Sequence, residues 1–279
     1  MSYRHTIALL TVLLLSQNAI STVSVSSSNC FFDCGGQALP LVQGAGYTTN
    51  CTVTVDSSKV YGLSAVNVSS VSIANCRILN YTYGIHLDSA NETSIINNTL
   101  QSNHNGVMIT SGSRNTVSAN NFSGNNVAVL AQDSAAAVVE ANNMDSQNFF
   151  GILAEYSQVN VTDNTITSTN GTAIKIVNST QAFIYSNNAT GNTMGLEIRN
   201  SNQSTIYSNQ LCANTVWDAY QTTESTGNTA TLNRCNTTQK FNDVNRIGCT
   251  LLCNGQQIEN FMIQLFWGYN EVSFPVLQY

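Results

Sequence analysis

Glu155, Lys175, Glu197 and Arg199 are the charges in this chain whose spacing could make them act together. They fall into two columns that recur about every 22 residues: His86, Met108, Leu130, Leu153, Lys175 and Glu197 in one, and Asp88, Thr110, Gln132, Glu155, Val177 and Arg199 in the other. If each recurrence is one strand of a stack, the four charges lie within roughly 10 Å, two strand spacings. Lys175 and Arg199 could then hold the carboxylates of an acidic sugar chain, with Glu155 or Glu197 as a general base. The plainer expectation is that opposite charges on neighbouring strands pair across a solvated surface and contribute about 0.2–1 kcal/mol. A glycosidase needs two carboxyl groups at a controlled separation around the scissile bond, and Lys175 stands between these two.

Aromatic residues offer a second route to sugar, because a ring face can stack on a pyranose. Tyr185 and Tyr207 are 22 residues apart and form a candidate stacking platform, with Phe183 and Tyr156 also on outward or loop positions of the later coils. His86 and Asp88 are further candidate substrate-binding residues. His104 falls between two asparagines and reads as a solvated turn residue. Beyond His5 in the leader there is no other histidine, so the sequence offers no histidine-rich metal site, and no cofactor is expected.

These side chains can be placed only by the repeat that carries them. Ile73, Ile95, Val117, Val139, Val161, Ile184 and Ile206 form an apolar column at a spacing of 22, with one slip to 23. Three residues after each stands Cys76, Asn98, Asn120, Asn142, Asn164, Asn187 or Asn209, and two further on a mostly apolar residue from Ile78 to Leu211. A second apolar pair, such as Ile85/Leu87 or Ile174/Ile176, alternates at period two and therefore reads as strand. One such unit cannot bury its own apolar side, so copies must stack around a continuous core. Asparagine at the turn tolerates left-handed backbone and can bond the amide above and below, a scaffold role. Glycines before the second pair, such as Gly84 and Gly106, are expected to permit a tight or left-handed corner.

Segments such as Ile95-Ile96-Asn97-Asn98 and Val139-Glu140-Ala141-Asn142-Asn143 resemble the right-handed parallel β-helix superfamily, which includes pectate-lyase-like and NosD-like proteins. The similarity runs from about residue 50 to about residue 226. It implies an all-β, single-stranded, right-handed solenoid of about 22 residues per coil and points toward polysaccharide as ligand. Tyr83-Gly84-Ile85-His86-Leu87-Asp88 also resembles the Tyr-Gly and Asp-Pro-His elements of alginate C5-epimerases, although proline is missing and Asp88 follows His86. Fold alone does not fix activity.

Residues 1–21 have the basic head, short apolar run and small-residue end of a secretory leader. Residues 22–49 read as an N-terminal cap, 50–226 as the β-helix, and 227–279 as a C-terminal cap with an aromatic tail expected to pack on the last coil or on the strip of Met108, Leu130 and Leu153. The formal charge of −6 and the lack of a basic patch argue against nucleic acid, and no transmembrane segment is expected. Cys30, Cys34, Cys51 and Cys76 cluster at one end and Cys212, Cys235, Cys249 and Cys253 at the other, as disulfides stapling both caps would require, with pairing open. Among twelve Asn-X-Ser/Thr triplets, Asn80, Asn91, Asn170, Asn178 and Asn202 fall in loops and are the expected glycosylation sites, whereas Asn97, Asn121 and Asn188 sit beside the asparagine column and read as confined. The combined expectation is a secreted, glycosylated, non-catalytic protein that binds polysaccharide or cell-surface glycan. The alternative is a lyase or C5-epimerase acting on acidic polysaccharide.

Overall fold

The computed structural model describes residues 60–244 and 247–256 in full, and outside them the backbone alone of Ser24–Ser26, Phe31–Cys34, Ala38–Pro40, Val53–Val55, Glu259–Ile263 and Val272–Val276. Every regular element among the described residues is a β-strand. Each coil contributes a six-residue strand such as Tyr83–Asp88, then a shorter one such as Ser94–Ile96, then a third such as Thr99–Gln101. Stacking of successive coils turns these into a first sheet of 10 strands, a second of 10 and a third of 8. The chain is a parallel β-solenoid.

Register follows the sequence columns. Val117 pairs with Val139, Val139 with Val161, and Val161 with Ile184, all fully buried. The slip to 23 between Val161 and Ile184 is absorbed in a turn and leaves the pairing intact.

The asparagine column forms a buried, directional ladder. In each rung the side-chain amide of Asn120, for example, donates to the Asn142 Oδ1 at 3.0 Å and to the Ile95 carbonyl at 2.9 Å, while its backbone N–H donates to the same Asn142 Oδ1 at 2.9 Å. The row continues through Asn164, Asn187, Asn209 and Asn233. It ends where the Asn233 amide donates to Asp243 at 2.7 Å. A second ladder, Asn103, Asn125 and Gln147, then Thr169, Asn192 and Asn214, lines the turn into the first sheet and ends on Asp218. Buried amides satisfied in both senses are what let such sharp turns exist inside the stack.

The glycines act differently from the sequence expectation. Gly84 and Gly106 do not have positive φ; a Cβ on Gly84 would meet the Gly106 carbonyl oxygen at 2.6 Å. Close approach of the next coil, not a left-handed corner, keeps this place glycine or alanine from Gly62 to Gly195, and only the last coil, where the period ends, carries Asp218 there. The left-handed turns are built mostly from Ser, Asn, Asp and other non-glycine residues, with φ from 46° at Asn200 to 65° at Asn80, joined in one turn by Gly124 and Gly191.

At the N-terminal end each sheet begins on an antiparallel strand: Ser24–Ser26 against Arg77–Leu79, Phe31–Cys34 against Val71–Ala74, and Val53–Val55 against Tyr61–Val66. Three open edges are thereby covered. Two disulfides, Cys212–Cys253 and Cys235–Cys249, cross-link the C-terminal end, as the cysteine grouping predicts. Cys76 is also disulfide-bonded. Glu259–Ile263 and Val272–Val276 of the aromatic tail pair with each other. The expected leader, Cys30, Cys51 and the packing of the tail side chains lie outside the described residues.

Candidate functional site

The solvent side of the first sheet carries the two predicted columns in register. His86 pairs with Met108, Met108 with Leu130, Leu130 with Leu153, Leu153 with Lys175, and Lys175 with Glu197. A third outward column was hidden in the sequence: Tyr61, Tyr83, Asn105, Val127, Phe150, Thr172, Met194 and Trp217. It is masked because the inward Gly84 position follows it directly, breaking the alternation that marks a strand face.

Two polar clusters result, separated by Met108, Leu130 and Leu153. In the first, the Tyr61 ring stacks on Tyr83 at 5.3 Å and on the His86 ring at 5.0 Å, and Tyr83 lies 5.6 Å from His86. The Ser64 hydroxyl lies 3.5 Å from His86 Nδ1. Burial among these rings pulls the His86 imidazole below its ordinary value, against the opposing pull of Asp88. Asp88 pairs in register with Thr110 and accepts from the Ser89 hydroxyl at 3.1 Å.

The second cluster surrounds Glu197, whose side chain is only 3% exposed. Its Oε2 accepts from Thr172 Oγ1 at 3.2 Å and from Lys175 Nζ at 3.2 Å, and its Oε1 accepts from Arg199 Nε. That last contact holds the guanidinium above its ordinary value. Lys175 lies 5.0 Å from the Phe150 ring centroid and Arg199 lies 5.6 Å from that of Tyr220. One carboxylate between two ring-backed cations leaves a net positive charge, with the Arg199 side chain 46% exposed. Glu155 belongs to the neighbouring column opposite Val177 and takes no part in the ion pairs found among the described residues. Thr172, Phe150 and Tyr220 were missed by sequence reasoning: Phe150 and Thr172 stand one column away, whereas Tyr220 continues the His86 to Glu197 column by one coil and could have been found by extending it.

Tyr185 and Tyr207 stack at 5.5 Å with 13° between their planes, and Phe183 lies 5.9 Å from Tyr185. They are on the second sheet, so the structure does not bring them to His86, Asp88, Lys175 or Arg199. Rings stacked along the solenoid cover one another's faces and present edges and hydroxyls to solvent. His104 is exposed, with Nδ1 2.8 Å from Asn126 Nδ2.

Among the triplet asparagines, Asn170 is exposed, whereas Asn80, Asn91, Asn178 and Asn202 are half-buried. Asn91 Oδ1 accepts from the Ser113 hydroxyl at 2.6 Å, and Asn202 Oδ1 accepts from the Thr226 N–H at 2.7 Å. Asn97 and Asn121 are exposed, because each is the outward neighbour of a ladder residue and points away from it.

The chain belongs to the family described as periplasmic copper-binding protein (NosD), whose model matches residues 45–249. No curated protein matches it. It is similar to the crystal structure of a double mutant of the periplasmic alginate epimerase AlgG, with 16% identity, a TM-score of 0.57, 62% of this chain and 47% of that chain covered. It is also similar to the A-module of the mannuronan C-5 epimerase AlgE6 of Azotobacter vinelandii, with 11% identity, a TM-score of 0.30, and 62% and 71% covered. The chain thus spans about half the length of the AlgG structure, and at this identity the likeness speaks to fold alone. The family description names copper, but the described residues do not fit that ion: no three His, Cys, Asp or Glu side chains converge, and no cysteine is free.

Proposed function

We propose that this NosD-family solenoid is a secreted, non-catalytic binder of acidic polysaccharide, with the sugar chain running across the coils on the solvent side of the first sheet. The observation that carries this reading is the ring-backed pair Lys175 and Arg199 on either side of a single buried carboxylate. Lys175 and Arg199 outnumber Glu197, the one carboxylate they contact, so each keeps capacity for an incoming carboxylate even with Glu155 on the neighbouring strand, and Phe150 and Tyr220 offer apolar edges to a sugar ring. Glu197 is a poor general base there, since its two oxygens already accept from three donors. The two disulfides accord with an oxidising compartment. Glycans on the exposed asparagines, Asn170 first, belong to the same proposal.

A second reading, C5-epimerisation or β-elimination, rests on His86, which its surroundings hold neutral and able to accept a proton. Either reaction also needs a cation to neutralise the sugar carboxylate. His86's neighbours in register, Ser64 and Met108, supply none.

Titration of the purified protein with alginate and pectin, followed calorimetrically over a range of salt, tests both readings. Binding that weakens with salt and falls about tenfold in Lys175→Ala is expected from loss of one charge-assisted contact. Binding indifferent to salt and to Lys175→Ala overturns the sheet-face site. Ultraviolet absorbance from unsaturated chain ends, lost in His86→Ala, would establish the lyase instead.

A further inference from the structure

One turn of the solenoid differs from its neighbours. Between the first and second sheets the chain takes a left-handed residue at the same place in each coil: Ser89, Ser111, Asp133, Tyr156, Asn178 and Asn200, with φ of 52, 54, 50, 51, 48 and 46°. Ser, Asp and Asn tolerate that conformation, whereas a bulky aromatic is costly in it. Tyr156 is the exception, and the residue is 60% exposed, so no burial offsets the cost.

The coil carrying Tyr156 is also one residue shorter just after it. Ser134 to Ala137 spans the same turn as Ser157 to Val159 below the next coil's Ser179 to Ala182, as the pairings Ala137 with Val159 and Asn160 with Phe183 require. The row of bridges Ser69, Asn91, Ser113, Ala135 is interrupted at this coil and resumes at Thr180 and Asn202. The missing residue leaves a notch of about 410 Å³ lined by Asp133, Tyr156, Gln158, Asn178 and Thr180.

We propose that this notch binds one residue of a neutral sugar chain. Its chemistry differs from that of the sheet face. The lining has an open aromatic ring, two amides, the hydroxyls of Ser134, Ser157 and Thr180, of which the two serines already donate to backbone carbonyls, and a single carboxylate, with no cation. Carboxylate and amide oxygens accept from sugar hydroxyls, amide N–H groups donate to them, and the ring stacks on the apolar face of a pyranose. Asp133 repels an acidic sugar. A concave site of this size with a few converging polar groups suits one or two sugar residues. Unlike Tyr185 and Tyr207, whose faces are covered by stacking, Tyr156 stacks on no other ring among the described residues, so its face is open to a ligand.

The test is saturation-transfer NMR and calorimetry on the full chain, made in a host that adds no N-glycans so that Asn178 is unmodified, against neutral gluco-, manno- and galacto-oligosaccharides and, separately, alginate. At least one neutral oligosaccharide is expected to bind, with saturation transferred from tyrosine. Tyr156→Asn should weaken it about tenfold, and Tyr156→Phe by about twofold or less, as loss of stacking rather than of a hydroxyl requires. Because asparagine suits the left-handed site, Tyr156→Asn is expected to melt no lower than the parent, which separates lost binding from lost folding. Failure of every neutral oligosaccharide to bind, or undiminished binding by Tyr156→Asn, overturns the notch. Wild-type protein that takes up alginate but no neutral oligosaccharide sinks this site and leaves the sheet-face reading standing; the converse result sinks only the sheet face.

Discussion

His86 shows how one side chain's surroundings set its behaviour. Stacked beside Tyr61 and Tyr83 and partly removed from water, it favours the neutral imidazole, so the folded protein holds fewer protons at this site than the unfolded chain. Stability must then fall as pH drops below the ordinary histidine value, because protons bind the unfolded state first. Denaturant midpoints measured from pH 7.5 to 5 should decline, and His86→Gln should flatten that decline. A slope unchanged in His86→Gln would place the titration elsewhere. The candidate residues were legible in the sequence as columns, but their electrostatics were not. The expected pairing of opposite charges on neighbouring strands is met by Lys175 and Glu197, but the burial of Glu197 and its further bonds to Thr172 and Arg199 show only in the structure. Thr172 and Phe150 sit in a column that keeps the 22-residue period but not the strand alternation, whose phase is broken by the inward small residue that follows.

At the scale of the element, the asparagine ladder sets the turns, and its direction has a consequence for which residue may stand where. Each interior rung must donate as well as accept: the Asn142 amide donates to the Val117 carbonyl at 2.8 Å and to Asn164 Oδ1 at 3.0 Å, while its oxygen accepts from Asn120. The terminal residue need only accept, and there the chain uses Asp243, whose carboxylate takes the Asn233 amide and backbone N–H together with the Thr250 N–H. Asn142→Asp would set a carboxylate against two buried acceptors and should cost about 3 kcal/mol or more, read from urea denaturation. A loss below about 1 kcal/mol would mean that the rungs do not carry the turns. The interior asparagines were legible because they keep the 22-residue period. Asp243 was not, because it follows Asn233 by only 10 residues, where the chain folds back within its last coil and the period ends.

For the whole molecule the question is how a stack with no natural stopping point ends. The N-terminal strands reverse direction against all three sheets, which denies the first coil a free parallel edge. The other end combines aspartate-terminated ladders with Cys212–Cys253 and Cys235–Cys249, at sequence separations of 41 and 14. In the chain-entropy picture closing loops of those sizes is worth about 4 and about 3 kcal/mol. A solenoid is stabilised coil by coil through its neighbours, so loss of these links should act locally before it acts globally. Cys235→Ser with Cys249→Ser is therefore expected to lower amide-exchange protection over residues 210–256 while Val117, Val139 and Val161 stay protected. Cys212→Ser with Cys253→Ser should extend the exchanging region further into the stack. Uniform loss of protection along the chain, with a single transition shared by all coils, would show instead that the solenoid unfolds as one unit and that its ends are not separately secured.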